Sequence, residues 1–399
     1  MDKLIYLDNA ATTSVLPAVV DEMIPYFTDG FGNPSSLYEF GQRARAAITD
    51  ARVRIAAHLG VDAPEVYFTG SGTESDNWAL KETAFAYQDK GRHIITSSIE
   101  HHAVSHTCAW LEKRGFEVTY LPVDAEGIVS VHSLVDALRD DTTLVSVILA
   151  NNEIGTIQPI KELAEAAHAR GALFHTDAVQ AVAHLPVNAA ELGVDMLSAS
   201  AHKFHGPKGV GLLYIKKGVK TRSFMDGGAQ ERKRRAGTEN VPGIMGMAKA
   251  LDLGMADLAS RAAHDQELRD RLIDRVLAEV EHVRLNGHRT QRLPGNANFS
   301  FEFVEGESLL LTLEQKGILA SSGSACASGS LDPSHVLLAI GLPHEIAHGS
   351  LRLSLGEETT AADIDYTVEA IKEVVVRLRA MSPLYEDFVK GRKPISAVK

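Results

Sequence analysis

Three stretches hold residues whose types and spacing suit chemistry. The first pairs His175-Thr176-Asp177-Ala178-Val179-Gln180 with Ser198-Ala199-Ser200-Ala201-His202-Lys203. Each begins within a β-prone run, which places Asp177 and Lys203 at the carboxyl ends of two strands, the edge where open parallel sheets bind ligands. A lysine and a carboxylate at neighbouring strand ends have a specific use with pyridoxal phosphate. The lysine holds the aldehyde as a Schiff base, and the carboxylate keeps the pyridine nitrogen protonated so that the ring accepts electrons. Taken alone, the pair is more commonly a surface salt bridge, and His202 could equally be a hydrogen-bonded structural histidine. The second stretch, Thr69-Gly70-Ser71-Gly72-Thr73-Glu74, sits where a strand should turn into a helix. Its glycines and the helix N-terminus suit an anion, with Ser71 and Thr73 as hydroxyl donors. It lacks the Gly-Lys-Ser/Thr ending of a nucleotide P-loop and the dinucleotide glycine spacing, so a small phosphate-bearing cofactor is preferred. A plain Gly-rich turn capped by a threonine is the alternative. The third is Cys326, within Ser321-Ser322-Gly323-Ser324-Ala325-Cys326-Ala327-Ser328-Gly329-Ser330. A thiol among small polar residues should be exposed and able to act as a nucleophile once ionised, and linkers seldom carry such a residue. Cys108, in a helical run over 102–113, reads as an inert packed thiol.

The rest of the composition narrows the field. With 399 residues and two cysteines, the chain has length for two or three domains and no disulfide scaffold. Lys+Arg number 40 against 52 Asp+Glu, a net charge of −12, so nucleic acid is not expected as a primary partner. The local exception, Arg232-Lys233-Arg234-Arg235, is flanked by Glu231 and Glu239. None of the 17 histidines forms a His-x-x-x-His signature with a glutamate beside it, so no metal is expected in the fold itself. No apolar run approaches a membrane span and no secretory signal opens the chain, which predicts a cytoplasmic protein.

The elements that must position these residues follow from periodicity. Candidate strands at 66–69, 93–96, 116–120, 144–150, 173–176, 196–199 and 210–215 alternate with helical runs such as 160–170, predicting an α/β domain with a mainly parallel sheet. The runs 194–200 and 210–215 are too close for a crossover helix, so they should pair antiparallel. Ala44, Ala47, Ile48, Ala51, Ile55 and Leu59 trace one face of a long helix before the block. After it, 243–283 is expected to be helical almost throughout. Strand 297–303, helix 308–316, strand 350–355 and helix 361–379 then predict a smaller α+β domain. The large domain is expected over 16–260, and the small one over 1–15 and 261–399, carrying the cysteine loop 321–335.

Together these segments resemble the pyridoxal-phosphate cysteine desulfurases of the class V aminotransferase family that feed iron–sulfur cluster assembly, of the housekeeping and nitrogen-fixation type. The resemblance runs over essentially the whole chain. It passes through Tyr6-Leu7-Asp8-Asn9-Ala10-Ala11-Thr12-Thr13, Phe31-Gly32-Asn33-Pro34-Ser35-Ser36, Thr73-Glu74-Ser75-Asp76-Asn77, Glu100-His101 and Asn151-Asn152-Glu153-Ile154-Gly155. It continues through Asp177-Ala178-Val179-Gln180, His202-Lys203, Arg235-Ala236-Gly237-Thr238-Glu239-Asn240, the cysteine segment to His335, and Arg352-Leu353-Ser354-Leu355-Gly356. The cysteine loop, long as in one branch of the family, is the most specific of these.

The resemblance implies a fold-type I aminotransferase architecture, a homodimer, and conversion of L-cysteine to L-alanine with the sulfur passed to Cys326 as a persulfide. An iron–sulfur scaffold or another acceptor protein would then receive it, and Cys326 could touch a cluster on such a partner. It implies that Lys203 anchors the cofactor aldehyde, Asp177 pairs with the pyridine nitrogen, Gln180 bonds the ring hydroxyl, and His101 stacks on the ring and helps with protons. Gly72, Thr73, Ser200 and His202 should hold the phosphate, with Thr238 from the partner subunit. Asn152, which also borders the cofactor, and Arg352 should grip the substrate carboxylate. Departures are Ala201 where glycine is usual, Ala229 where glycine or histidine is usual, and Asp332 where glutamate is usual. A selenocysteine lyase or another class V aminotransferase would share the cofactor residues, though the cysteine loop speaks against an aminotransferase. A non-catalytic scaffold is disfavoured by the joint presence of Lys203, Asp177, Arg352 and Cys326.

Overall fold

The computed structural model describes residues 4–322 and 333–391. Its strands, in chain order, are β1 (Ile5–Tyr6), β2 (Val66–Thr69), β3 (His93–Ser97), β4 (Glu117–Leu121), β5 (Thr142–Ser146) and β6 (Leu173–Asp177). They continue with β7 (Met196–Ser200), β8 (Gly211–Ile215), β9 (Val283–Leu285), β10 (Asn296–Phe301), β11 (Ile318–Leu319) and β12 (Ser350–Ser354). Seven of them form one sheet in the order β2-β8-β7-β6-β5-β3-β4. All its pairs are parallel except those of β8, which runs antiparallel to both β2 and β7. The expected antiparallel neighbour is therefore present, with Met196 opposite Ile215 and Ser200 opposite Gly211. Strands β2, β3, β5, β7 and β8 are buried at every residue, which is why they read as continuous β-prone runs and not as alternation.

Helices cover both faces. The helix Glu39–Leu59 buries Ala44, Ile48, Ala51, Ile55 and Leu59, the stripe expected from spacing, and stops at Gly60 in the left-handed conformation (φ 68°). It packs beside Val241–Ala256 in the main apolar core. On the opposite side, Trp78, Leu80, Val104, Cys108 and Leu111 form a second layer. Cys108 is thus a packed thiol, and burial raises its pKa further above the ordinary thiol range.

A separate core gathers Ile5 and Leu7 with Phe299, Phe301, Leu351, Leu353, Ile364 and Ile371. There β12, β10 and β9 pair antiparallel and β1 pairs parallel with β11, against the helices Leu258–Glu279, Gly306–Gln315 and Ala361–Ala380. Two expectations change. The run 243–283 is two helices, because Asp257 leaves helical geometry (φ −122°, ψ 27°), followed by β9. Spacing alone does not expose such a break, since both helices continue the apolar pattern. The run 144–150 also stops being strand at Ser146. Val147 and Leu149 still donate backbone hydrogen bonds to His175 and Asp177, so the chain follows β6 to its end.

Part of the basic run is tied into the fold, though Arg232 and Lys233 remain exposed. Glu231, Arg232 and Lys233 all have positive φ (42°, 57° and 64°), which costs roughly 1–2 kcal/mol per residue. The offset is a buried fork: Arg52 donates to both oxygens of Glu231 (2.8 and 2.6 Å), and the Phe68 N–H donates to the same carboxylate (3.0 Å). Arg232 donates to Val66 O (2.8 Å) and lies 3.9 Å from the Tyr67 ring centre, while Arg235 bonds Glu74 (2.8 Å). Arg52→Met leaves the Glu231 carboxylate buried without its cation and should cost about 3 kcal/mol, read as a lowered urea midpoint. Arg43→Met breaks only an exposed pair with Glu39 and should leave the midpoint in place.

Candidate active site

A cavity of about 390 Å³ opens at the carboxyl ends of β6 and β7. Gly72, Thr73, His101, Asn152, Asp177, Gln180, Ser200, His202, Lys203 and Arg352 all line it. Residues scattered over 281 positions of sequence thereby meet in one space: Gly72, Thr73 and His101 at helix starts, Asp177 and Ser200 at strand ends, Asn152, Gln180, His202 and Lys203 in the turns that follow, and Arg352 from the middle of β12 in the smaller sheet. Thr238 is exposed and does not line this cavity. Cys326 and Asp332 lie outside the described residues, as does most of the cysteine loop 321–335.

The anion cradle is the start of the helix Gly72–Tyr87. Its cap is Ser71 and not a threonine: Ser71 Oγ accepts from Glu74 N (3.1 Å). Glu74 in turn accepts from Gly70 N (2.9 Å), which ties the turn to Arg235. The N–H groups of Gly72 and Thr73 stand in the first turn, where a helix has no internal acceptors for them. A Cβ on Gly72 would come 2.6 Å from Val179 and 3.4 Å from Ser200, so only glycine lets the backbone close this wall.

Opposite, Lys203 follows β7 in the short turn Ala201–Lys203. Its Nζ donates to Ala10 O (2.7 Å) and Ala11 O (2.8 Å), and Gln180 Nε2 also donates to Ala10 O (2.8 Å). The unusual Ala201 is accommodated by Gly206, where an added Cβ would lie 2.7 Å from the Ala201 methyl. Ala229 lies exposed before the short helix Gln230–Lys233.

Asp177 accepts from Val179 N (2.9 Å). Burial raises its pKa, against the pull of that N–H and of Lys203. Beside it is Asp76, raised well above the carboxylate range by burial and then by the charge of Asp177. Asp76 Oδ1 is buried without a hydrogen-bond partner, 3.7 Å from His175 Nε2. Asp76, Asp177 and His101 each bring one ligand atom within 4.8 Å of the others. Metal ligation is one use of such a spacing, but the amine of Lys203 and the anion cradle in the same wall describe a different guest. A protonated ring nitrogen, an aldehyde and a phosphate on one small molecule match carboxylates, amine and cradle in turn, so the residues fit pyridoxal phosphate.

His101 caps the helix His102–Glu112 by accepting from Ala103 N at Nδ1 (3.1 Å). Burial, then the charge of Lys203, lowers its pKa to about 4. The ring is therefore neutral near pH 7 and, with Nδ1 committed as acceptor, carries its proton on Nε2. Arg352, on β12, is buried and donates to Asn152 O (2.9 Å) and Asp8 Oδ1 (2.9 Å). The residue lines the cavity, and a guanidinium there is suited to a substrate carboxylate.

Three buried acids in or beside the site escaped the sequence reading: Asp76 and Glu153, which line the cavity, and Glu100, next in the chain to His101. Burial pushes Glu100 up to about 8 and Glu153 up to about 7. Their neighbours His101 and Asn152 were singled out, but an acid is ordinarily exposed, and no spacing shows that a particular one is folded inward.

The chain matches the model of the aminotransferase class-V family over residues 5–367. It is 59% identical over 383 residues to the cysteine desulfurase IscS of Methanosarcina thermophila, covering 96% of this chain and 95% of that protein. It is 53% identical over 395 residues to the cysteine desulfurase IscS of Clostridium botulinum, covering 98% and 100%. A solved structure of a NifS-like protein superimposes with a TM-score of 0.89 at 39% identity, covering 94% of this chain and 100% of that one. The chain belongs to the aminotransferase class-V family.

Proposed function

We propose that the protein is a pyridoxal-phosphate-dependent cysteine desulfurase, which converts L-cysteine to L-alanine and moves the sulfur to Cys326 as a persulfide. The observation that carries this is the meeting of Lys203, Asp177 and Arg352 with the anion cradle in one cavity. The near-full-length relatives named as cysteine desulfurases support the same reading.

When bound, pyridoxal phosphate supplies an electron sink for the α-carbon of an amino acid. Each residue of the chain then has a task. Gly72 and Thr73 N–H with Ser200 and His202 would hold the phosphate, and Asp177 would hold the ring nitrogen as a cation. Gln180 offers a donor to the ring hydroxyl. Arg352, with Asn152, orients the substrate by its carboxylate, which places the α-proton in reach of the Lys203 amine. Neutral His101 would stand beside the ring and move protons through Nε2. Cys326 as thiolate attacks the substrate sulfur, the carbon–sulfur bond breaks, and alanine leaves with a proton from the site, so atoms balance across substrate and persulfide.

We further infer a homodimer, in which the exposed Thr238 reaches the cavity of the second copy, and a large unit over 16–260 beside a smaller one formed by 1–15 and 261–399. The placement of Ile5 and Leu7 in the second core supports that division. Sulfur delivery to an iron–sulfur scaffold or another acceptor in the cytoplasm completes the reading. Among the described residues, no helix is long and apolar enough to cross a membrane.

Lys203→Ala should abolish alanine formation and the borohydride-reducible link to the cofactor, while phosphate contacts still retain some cofactor. A surviving link would move the anchor to another lysine. The two thiols should separate cleanly in mass spectra taken after cysteine addition. Cys326→Ser should bind cofactor and cysteine yet gain no sulfur, whereas Cys108→Ser should form persulfide at close to the parental rate. Sulfur found on Cys108 of the parent protein would overturn the assignment.

A further inference from the structure

Glu153 is buried against the substrate side of the cavity, yet nothing in the chemistry above uses it. Its Oε2 accepts from Ser334 Oγ at 2.5 Å. Ser334 also caps the helix His335–Ala339, accepting from Val336 N (3.1 Å) and Leu337 N (3.3 Å). Those caps already satisfy the helix start, so the helix itself does not require a buried carboxylate. A carboxylate buried with one side-chain hydrogen bond is costly, and a site that keeps one has a use for it.

The surroundings indicate the use. Glu153 follows Asn152, whose carbonyl accepts from Arg352. The Glu153 carbonyl accepts from Asn298 Nδ2 (3.0 Å), and Asn298 lies directly opposite Arg352 in the β10–β12 ladder. Arg352 also exchanges backbone hydrogen bonds with Ser321, its N–H donating to Ser321 O (2.7 Å) and its O accepting from Ser321 N (3.2 Å). Ser321 and Ser334 stand on either side of Cys326 in the chain. Both are therefore fastened to the one wall that carries Arg352, Ser321 through the backbone and Ser334 through the Glu153 side chain.

We propose that Glu153 is a positioning residue for sulfur transfer: through Ser334 it registers the chain that carries Cys326 against the wall that binds the substrate carboxylate. This rests on the desulfurase reading, with Cys326 as sulfur acceptor and Arg352 as carboxylate site. Removing the Glu153–Ser334 bond should leave cysteine binding in place and slow the step that brings the two sulfurs together.

The test uses the cofactor-loaded enzyme and two readouts: cysteine affinity from the absorbance change of the bound cofactor, and the rate of persulfide formation on Cys326 by quenched-reaction mass spectrometry. Glu153→Ala and Ser334→Ala should each lower the persulfide rate about tenfold, in line with losing one buried hydrogen bond, with affinity changed by less than about threefold. The double variant should be no slower than either single one. Ser334→Thr, which keeps the hydroxyl, should restore most of the rate. Parental persulfide rates in both alanine variants would overturn the proposal. So would losses that multiply in the double variant, or affinity falling in step with rate. A parent enzyme that forms no persulfide on Cys326 would instead overturn the desulfurase reading beneath it.

Discussion

A buried guanidinium organises this molecule. Arg352 is almost without solvent, and an ionised group of that kind is tolerated only where it is paired and hydrogen-bonded. Asp8 answers from the N-terminal segment and Asn152 from the loop after β5, while Ser321 pairs with the backbone of Arg352. The arginine stands on a strand of the second core but looks into a cavity built largely by the first. Its demands thus draw the chain's beginning, middle and end to one point.

The same economy of buried charge runs through the rest of the site. Asp76, Glu100, Glu153 and Asp177 are all carboxyls pushed upward by burial, and His101, His175 and His202 are imidazoles pushed downward by it. Burial disfavours charge on every one of them. Such a wall holds fixed donors and acceptors in a low dielectric, where a bound cation or anion interacts more strongly than in water. Lys203 bonded to two backbone carbonyls and Gly72 closed against Val179 give that wall its two ends, an amine and an anion cradle.

The strained turn at 231–233 shows the same logic at a distance from the cavity. Three consecutive left-handed residues persist because Arg52 and the Phe68 N–H hold the Glu231 carboxylate. That turn sets Arg235 on Glu74, which in turn bonds the glycine before the cradle. Arg235, the last residue of a run that looks in sequence like a solvated basic patch, is therefore part of the support of the helix start.

Most of the architecture was legible in sequence because it rests on local rules. Strands buried on both faces read as short β-prone runs, the helix over 39–59 showed its stripe, and the short gap after 200 required an antiparallel return. Lys203, Asp177 and Gly72 could be singled out because strand ends and glycine turns are local features with few chemical uses. The two-residue strands β1 and β11 escaped, since pairing between residues more than 300 apart leaves no periodic trace. The break at Asp257 escaped because both helices continue one apolar pattern. Only the tertiary structure decided that Asp76, Glu100 and Glu153 face inward, and that Ser321 and Ser334 meet the wall of Arg352. Burial is a property of the assembled neighbours and not of the residue, so a sequence can name an acid but cannot say whether water reaches it.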